Sequence, residues 1–147
     1  MIINVEQNPA QKDIEVLITC PVKNKTVDRI VSLIKSADMQ IECYSDDIIK
    51  RVNVSEIYYI ESIDGKTIVS CEKEKYLVKG RLYQIYEKLK DNDFIQISKY
   101  CILNINKLDK FKPLANNRLE AVLSNGVYLC ITRKYIAGIK QILRGDE

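Results

Sequence analysis

Asp64-Gly65, Asn116-Asn117 and Asn125-Gly126 each separate two short runs of alternating apolar and polar residues. A two-residue connection between antiparallel strands requires positive φ at both central positions, which Asn, Asp and Gly tolerate and bulky residues resist. Three such dipeptides predict three hairpins: residues 56–63 with 66–71, 108–114 with 118–123, and 118–123 with 127–131. A chain with this punctuation is committed to a mainly antiparallel β body. Two further strands are expected at residues 39–44 and 48–54, around the Ser45-Asp46-Asp47 turn. The apolar runs 94–97 and 101–103 flank a bend at Lys99-Tyr100.

Helical spacing interrupts this pattern in three places. Val27, Ile30, Val31 and Ile34 recur at i, i+3, i+4, i+7 and predict a helix to about residue 37 with Thr26 as N-cap. Leu82, Ile85, Tyr86 and Leu89 mark a second helix over 81–90. Thr132 is placed to cap a terminal helix with Ile136, Ile139 and Leu143 inward. Ahead of the first helix, Ile14, Val16, Ile18 and Cys20 alternate with Glu15, Leu17 and Thr19 up to Pro21, which predicts a strand. The fold class is therefore α+β and mainly β. Residues 1–45 are read as a strand-helix-strand extension, and residues 46–147 as an antiparallel β domain with two short helices.

Composition removes many functions. The 147 residues, 46% hydrophobic and 29% charged, suffice for one buried core, or for one with a small appendage. No histidine is present, so the commonest general base and metal ligand is missing. Phosphate-cradling glycine loops and the nucleophile elbow are also lacking. The acidic pairs Asp46-Asp47 and Asp91-x-Asp93 read as turn and helix-flank residues. An enzyme, a cofactor, a metal and a small-molecule substrate are accordingly not expected. The five cysteines are odd in number, with no C-x-x-C pair, and are read as reduced, mostly buried small hydrophobes. Without a signal peptide or a long apolar run, a cytoplasmic protein is expected.

The charge is uneven. Residues 1–55 carry 7 Lys+Arg against 8 Asp+Glu, whereas residues 56–147 carry 16 against 12. The cationic excess belongs to the β domain and suits an anionic partner there. Lys66 follows the Asp64-Gly65 turn directly, Lys99-Tyr100 interrupts two apolar runs, and Arg133-Lys134 opens the terminal helix. Cations in the first turn of a helix oppose its dipole by about 0.3–1 kcal/mol each, a cost that a phosphate group would reverse. Taken singly, these are ordinary surface residues; their combination suggests a nucleic-acid surface. Asn104, inside an apolar run, is read as a satisfied amide that holds a turn.

Three blocks of this sequence carry a family resemblance. They are Glu56-Ile57-Tyr58-Tyr59-Ile60-Glu61-Ser62, the stretch from Phe94 through Asn104 to Leu108, and Ile131-Thr132-Arg133-Lys134-Tyr135-Ile136. In order and spacing they resemble the signature of the LytTR family of DNA-binding domains over residues 48–144. The middle block departs from the family pattern at Gln96, where arginine is usual, and at Tyr100, where serine is usual. The resemblance implies a bacterial, response-regulator-like transcription factor that binds double-stranded DNA through loops set in major grooves. Carried over position by position, the base-contacting residues fall on Lys66, Lys99 and Arg133. Lys134, Tyr100 and Ser62 are candidates for phosphate or flanking contacts.

The extension is too short for a phosphoacceptor receiver domain and is expected to mediate homodimerisation, through the Val27, Ile30, Val31, Ile34 stripe or a neighbouring strand edge. A different reading remains open: a protein-interaction module without DNA binding that pairs with a partner regulator or a membrane protein. Gln96 and Tyr100 keep that reading alive.

Overall fold

Apolar residues crowd both faces of the middle strands, and this decides the layering. In the computed structural model, which describes residues 1–144, the chain runs α1 (Lys25–Ala37), β1 (Gln40–Ser45), β2 (Ile48–Asn53), β3 (Tyr59–Ile63), β4 (Lys66–Ser70), β5 (Lys75–Val78) and α2 (Leu82–Leu89). It continues through β6 (Phe94–Ser98), β7 (Cys101–Asn104), β8 (Leu108–Leu114), β9 (Arg118–Leu123), β10 (Tyr128–Ile131) and α3 (Arg133–Arg144). A seven-stranded sheet in the order β2-β1-β5-β4-β3-β7-β6 faces a three-stranded sheet in the order β10-β9-β8. The strand pairs are antiparallel, the architecture expected of this hairpin punctuation.

Alternation along the central strands feeds two cores. Ile60, Val69, Ile102 and Phe94 point to one side, where Leu82, Ile85 and Leu89 of α2 cover them. Tyr59, Ile95, Ile97, Cys101 and Leu103 point to the other, against Leu119, Ala121, Leu123 and Ile131 of the small sheet and Ile139 of α3. Fully burying one such aliphatic side chain contributes roughly 1.5–3 kcal/mol, so strands buried on both faces anchor the body.

The turns follow the residues that form them. Asp64 and Gly65 have φ of 51° and 77°, and Asn116 and Asn117 have 63° and 58°. The second and third hairpins are wider than two residues: Leu114 pairs with Arg118 across Ala115-Asn116-Asn117, and in the third Gly126 alone takes positive φ, at 86°. Leu123 N donates to Val127 O and Gly126 N to Leu123 O, giving a three-residue connection over 124–126.

Other expectations change at the periphery. Helix α1 is capped by the Asn24 side chain, which accepts from Val27 N at 3.0 Å, rather than by Thr26. An Asn side chain caps as well as a Thr, and this places Thr26 inside the first turn. The strand expected over 14–20 does not form. Residues 1–24 have no regular structure, and Ile14, Val16 and Leu17 are exposed, because no strand edge lies alongside them. Leu143 lies outside the residues whose side chains are described. Cys43 and Cys101 are buried and Cys71 half-buried, but Cys20 and Cys130 are exposed. Among the described residues no helix is long and apolar enough to cross a membrane.

Candidate nucleic-acid interface

Strand register gathers four turns at one end of the two sheets. Strand β3 ends where Ile63 pairs with Lys66 across the Asp64-Gly65 turn. Strand β7 begins beside that point: Glu61 pairs with Cys101, and Ser62 N donates to Tyr100 O at 2.8 Å. The β6–β7 turn, with Lys99 and Tyr100 at its tip, therefore abuts the β3–β4 turn. Thr132 N and Thr132 Oγ1 both donate to Ile97 O, at 3.0 and 3.4 Å, which fastens the start of α3 to the last residues of β6. Ile131 pairs with Leu119 at the start of β9, so the β8–β9 turn joins the same end.

The side chains at these turns are held outward. Lys66, Lys99, Arg133 and Lys134 are exposed, and Tyr100 keeps 58% of its surface in solvent. Lys99 Nζ lies 5.5 Å from the Tyr100 ring centre and Lys134 Nζ lies 5.6 Å from that of Tyr135. These contacts orient the ammonium groups over aromatic faces while leaving donors to solvent. Arg133 Nη2 donates to Asn116 O at 2.8 Å across to the β8–β9 turn. That bond offsets part of the conflict between a cation and the start of its own helix, and it leaves further guanidinium N–H groups to donate elsewhere. Ser62 is half-buried, and its backbone rather than its hydroxyl makes the bond to the Tyr100 turn.

A β-bulge aims the middle turn. Register shifts between Gln96 and Ser98, opposite Ile102 and Cys101, and the half-buried Gln96 side chain spans the irregularity by donating to Ser98 O at 3.1 Å. Ser98 Oγ in turn accepts from Tyr100 N at 3.2 Å. Gln96 thus braces the turn that presents Lys99, a role in which an amide satisfies a backbone carbonyl.

Sequence reasoning passed over a further basic stretch at the same end. Thr67 pairs with Val78, and its hydroxyl donates to Gly80 O at 2.8 Å, so the β5–α2 connection lies beside Lys66. Lys79 and Arg81 are exposed there, with Lys79 Nζ 5.2 Å from the Tyr44 ring centre. Arg118, at the exit of the β8–β9 turn, is also exposed. A Lys-Gly-Arg run directly after the apolar Tyr76-Leu77-Val78 was the available signal. Against these cations stand Asp64 at a turn tip and the half-buried Glu61 further in.

The opposite end is built differently. Asn104 is buried; its Nδ2 donates to Ile57 O at 2.9 Å and its Oδ1 accepts from Asn106 N at 3.0 Å. It is the satisfied turn amide the sequence suggested. A shallow hollow nearby is lined by Lys50, Glu56, Glu74, Tyr76 and Lys107, with Tyr76 hydrogen-bonded to both Lys50 and Glu74. Charges alternate there and offer no single-sign surface. No cluster of ligating side chains suited to a metal ion occurs among the described residues.

Comparison with known proteins bears on this arrangement. Residues 47–144 match the model of the LytTr DNA-binding domain. A LytTr DNA-binding domain of a putative methyl-accepting/DNA response regulator from Bacillus cereus superposes with a TM-score of 0.67 at 22% identity, covering 71% of this chain and 95% of that one. Sensory transduction protein LytT of Bacillus anthracis is 28% identical over 116 residues, 76% of this chain and 47% of that protein. The chain thus spans about half the length of that relative. An uncharacterized HTH-type transcriptional regulator of Staphylococcus aureus is 26% identical over 145 residues, covering 97% of this chain and 98% of its own.

Proposed function

Because the chain belongs to the LytTr DNA-binding domain family, we propose that it binds duplex DNA sequence-specifically and regulates transcription from the loop end of its two sheets. The observation that carries this reading is the convergence of exposed cations on four turns that register and hydrogen bonds lock together. In the proposed complex Lys66, Lys99 and Arg133 reach base edges in the major groove. Lys or Arg to guanine O6/N7 is the commonest specific contact, so the residue types suit the task. Lys134, Tyr100 and Ser62 contact phosphate or flanking sugar and fix the register on the duplex. Short rigid turns on a doubly buried sheet suit insertion into a groove about 12 Å wide, because little ordering cost remains on binding.

We further propose that the protein acts in the cytoplasm as a homodimer on repeated half-sites, each protomer offering one loop end. Two such ends on one face of the helix multiply effective affinity without any new contact.

The test is selection of full-length protein against random duplex DNA. Enrichment of a repeated motif, lost when Lys99→Ala and Arg133→Ala are combined, is the expected result. Recovery of no motif would turn the reading toward a protein partner for this surface.

A further inference from the structure

Among the described residues, residues 14–20 have the composition of a strand but no strand partner, and the large sheet has a strand with no partner on its outer side. Strand β2 is the edge of the seven-stranded sheet, and Ile48 and Ile49 on it are 65% and 63% exposed. Unpaired edge groups beside exposed isoleucines form a template for strand addition, which folded proteins cover or blunt. Ile14, Val16 and Leu17, together with Met1, Ile2, Ile3, Val5 and Val22, leave an unusual amount of apolar surface in solvent on the segment ahead of α1.

We propose that residues 14–18 of one copy add antiparallel to β2 of a second copy, and reciprocally, so that strand exchange forms the dimer. The inference rests on the homodimer reading above and supplies its surface. Register is what singles out this pairing. Strands β1 and β2 already place Ile41, Cys43 and Ser45 opposite Val52, Lys50 and Ile48 on one face, and Glu42 and Tyr44 opposite Arg51 and Ile49 on the other. Setting Glu15 opposite Arg51 puts Ile14 on Val52, Val16 on the Lys50 stem and Ile18 on Ile48 along the first face. On the second face Leu17 meets Ile49, and Arg51 lies between the carboxylates of Glu15 and Glu42. Both faces match at once. A slip of one residue exchanges the faces: in one direction Glu15 meets the buried Val52 and the apolar pairs break, and in the other Val16 and Leu17 keep Ile49 and Ile48 but Ile14 falls on Arg51 and Asp13 on the buried Val52. A parallel arrangement keeping Glu15 on Arg51 sets Leu17 on Asn53 and Asp13 on Ile49, which is poorer on the second face.

The occupant is a second copy because, among the described residues, this segment stands free of the edge, with Glu15 accepting from Gln11 Nε2, at 3.3 Å, four residues before it. Reciprocal exchange then covers both orphan edges and both apolar segments with one symmetric contact.

The test is the solution mass of full-length variants by analytical ultracentrifugation. Wild type should be a dimer. Val16→Pro with Leu17→Pro removes ladder donors in a segment that makes no ladder bonds within its own chain, so it should leave the fold intact and raise the dimer dissociation constant tenfold or more. Glu15→Arg and Arg51→Glu should each weaken the dimer by about tenfold, since each sets two like-charge cross-strand pairs in a symmetric dimer. Mixed one to one, these two variants should regain a dimer of near wild-type affinity, because each charge meets its opposite only between unlike copies. A wild-type monomer, a dimer indifferent to the prolines, or a mixture no tighter than its components would overturn the inference. A monomer that still selects a DNA motif would overturn it and leave DNA binding standing.

Discussion

The two ends of the β body are made of the same strands and do opposite things. At the loop end, tight turns with positive φ at Asp64, Asn116 and Asn117 push exposed cations outward, and the few carboxylates nearby do not balance them. At the other end, the buried Asn104 turns inward to cap a short 3₁₀ turn and to donate to Ile57 O. Polar residues at one end are spent on the chain's own backbone, whereas those at the other remain largely available to a partner. The difference predicts that substitutions at the loop end change binding without changing stability, and that substitutions at the far end do the reverse.

The strongest way to break that contrast is Lys66→Ala, Lys99→Ala and Arg133→Ala in one chain. If these side chains make the proposed base contacts, each worth about 1–3 kcal/mol of specific binding, the triple variant should lose discrimination between selected and random DNA altogether. Its thermal midpoint should stay within a few degrees of wild type. Competition binding against random duplex measures the first, and calorimetry the second. Retained discrimination would move the reading surface elsewhere.

Next in size is Asn104→Ala. It leaves Ile57 O and Asn106 N without their partners in a buried site, a loss of about 2–3 kcal/mol from two hydrogen bonds and the desolvation they had offset. Denaturant titration should show this, while the folded fraction binds DNA as wild type does. A loss confined to binding would contradict the division between the ends.

What was legible beforehand divides along physical lines. Strands that announce themselves through turn chemistry, such as β3 with β4 across Asp64-Gly65 and β8 with β9 across Asn116-Asn117, could be read because a local φ requirement constrains a local sequence. Strand β5 was missed: it is four residues long and follows the polar run Glu72-Lys73-Glu74, so its identity comes from pairing with β4 and not from its own pattern. The strand expected over 14–20 shows the converse, since alternation supplies a face but only a neighbouring edge supplies the ladder. Lys66, Lys99 and Arg133 could be picked out as oddly placed cations. Their convergence could not, because it depends on long-range bonds such as Ser62 N to Tyr100 O and Arg133 to Asn116 O. Gln96 looked like a departure from a contact residue, and its role as a brace became visible only with the bulge it spans.

A smaller effect comes from the core shared with the small sheet. Burial pushes the Cys101 thiol up to about 12 from an ordinary 9.0, with the Glu61 carboxylate adding to the shift. Because the folded value lies above the unfolded one, the folded state holds the proton longer. Stability is then unaffected below about pH 9 and falls as pH rises from there toward 12, by up to about 1.4 kcal/mol per pH unit. Comparing wild type with Cys101→Ala between pH 8 and 10.5 should show the wild type losing stability faster. Equal slopes would mean that this thiol is not held protonated by its surroundings.

The smallest expected effect sharpens the boundary of the loop end. Lys79 and Arg81 lie beside Lys66 through the Thr67–Val78 pair and the Thr67 hydroxyl bond to Gly80 O, yet they sit on a connection and not at a turn tip. A side chain set back from the tips meets the phosphate backbone before it meets base edges, so its contribution is electrostatic and indifferent to sequence. Lys79→Ala and Arg81→Ala should therefore weaken selected and random DNA alike, each by less than about 1 kcal/mol, and each should reduce the slope of log affinity against log salt by about 1. Lys99→Ala should instead alter the ratio between the two DNAs. If Lys79→Ala changed that ratio as well, the reading surface would extend past the turn tips onto the β5–α2 connection, and the contrast between tips and flanks would have to be redrawn around Gly80.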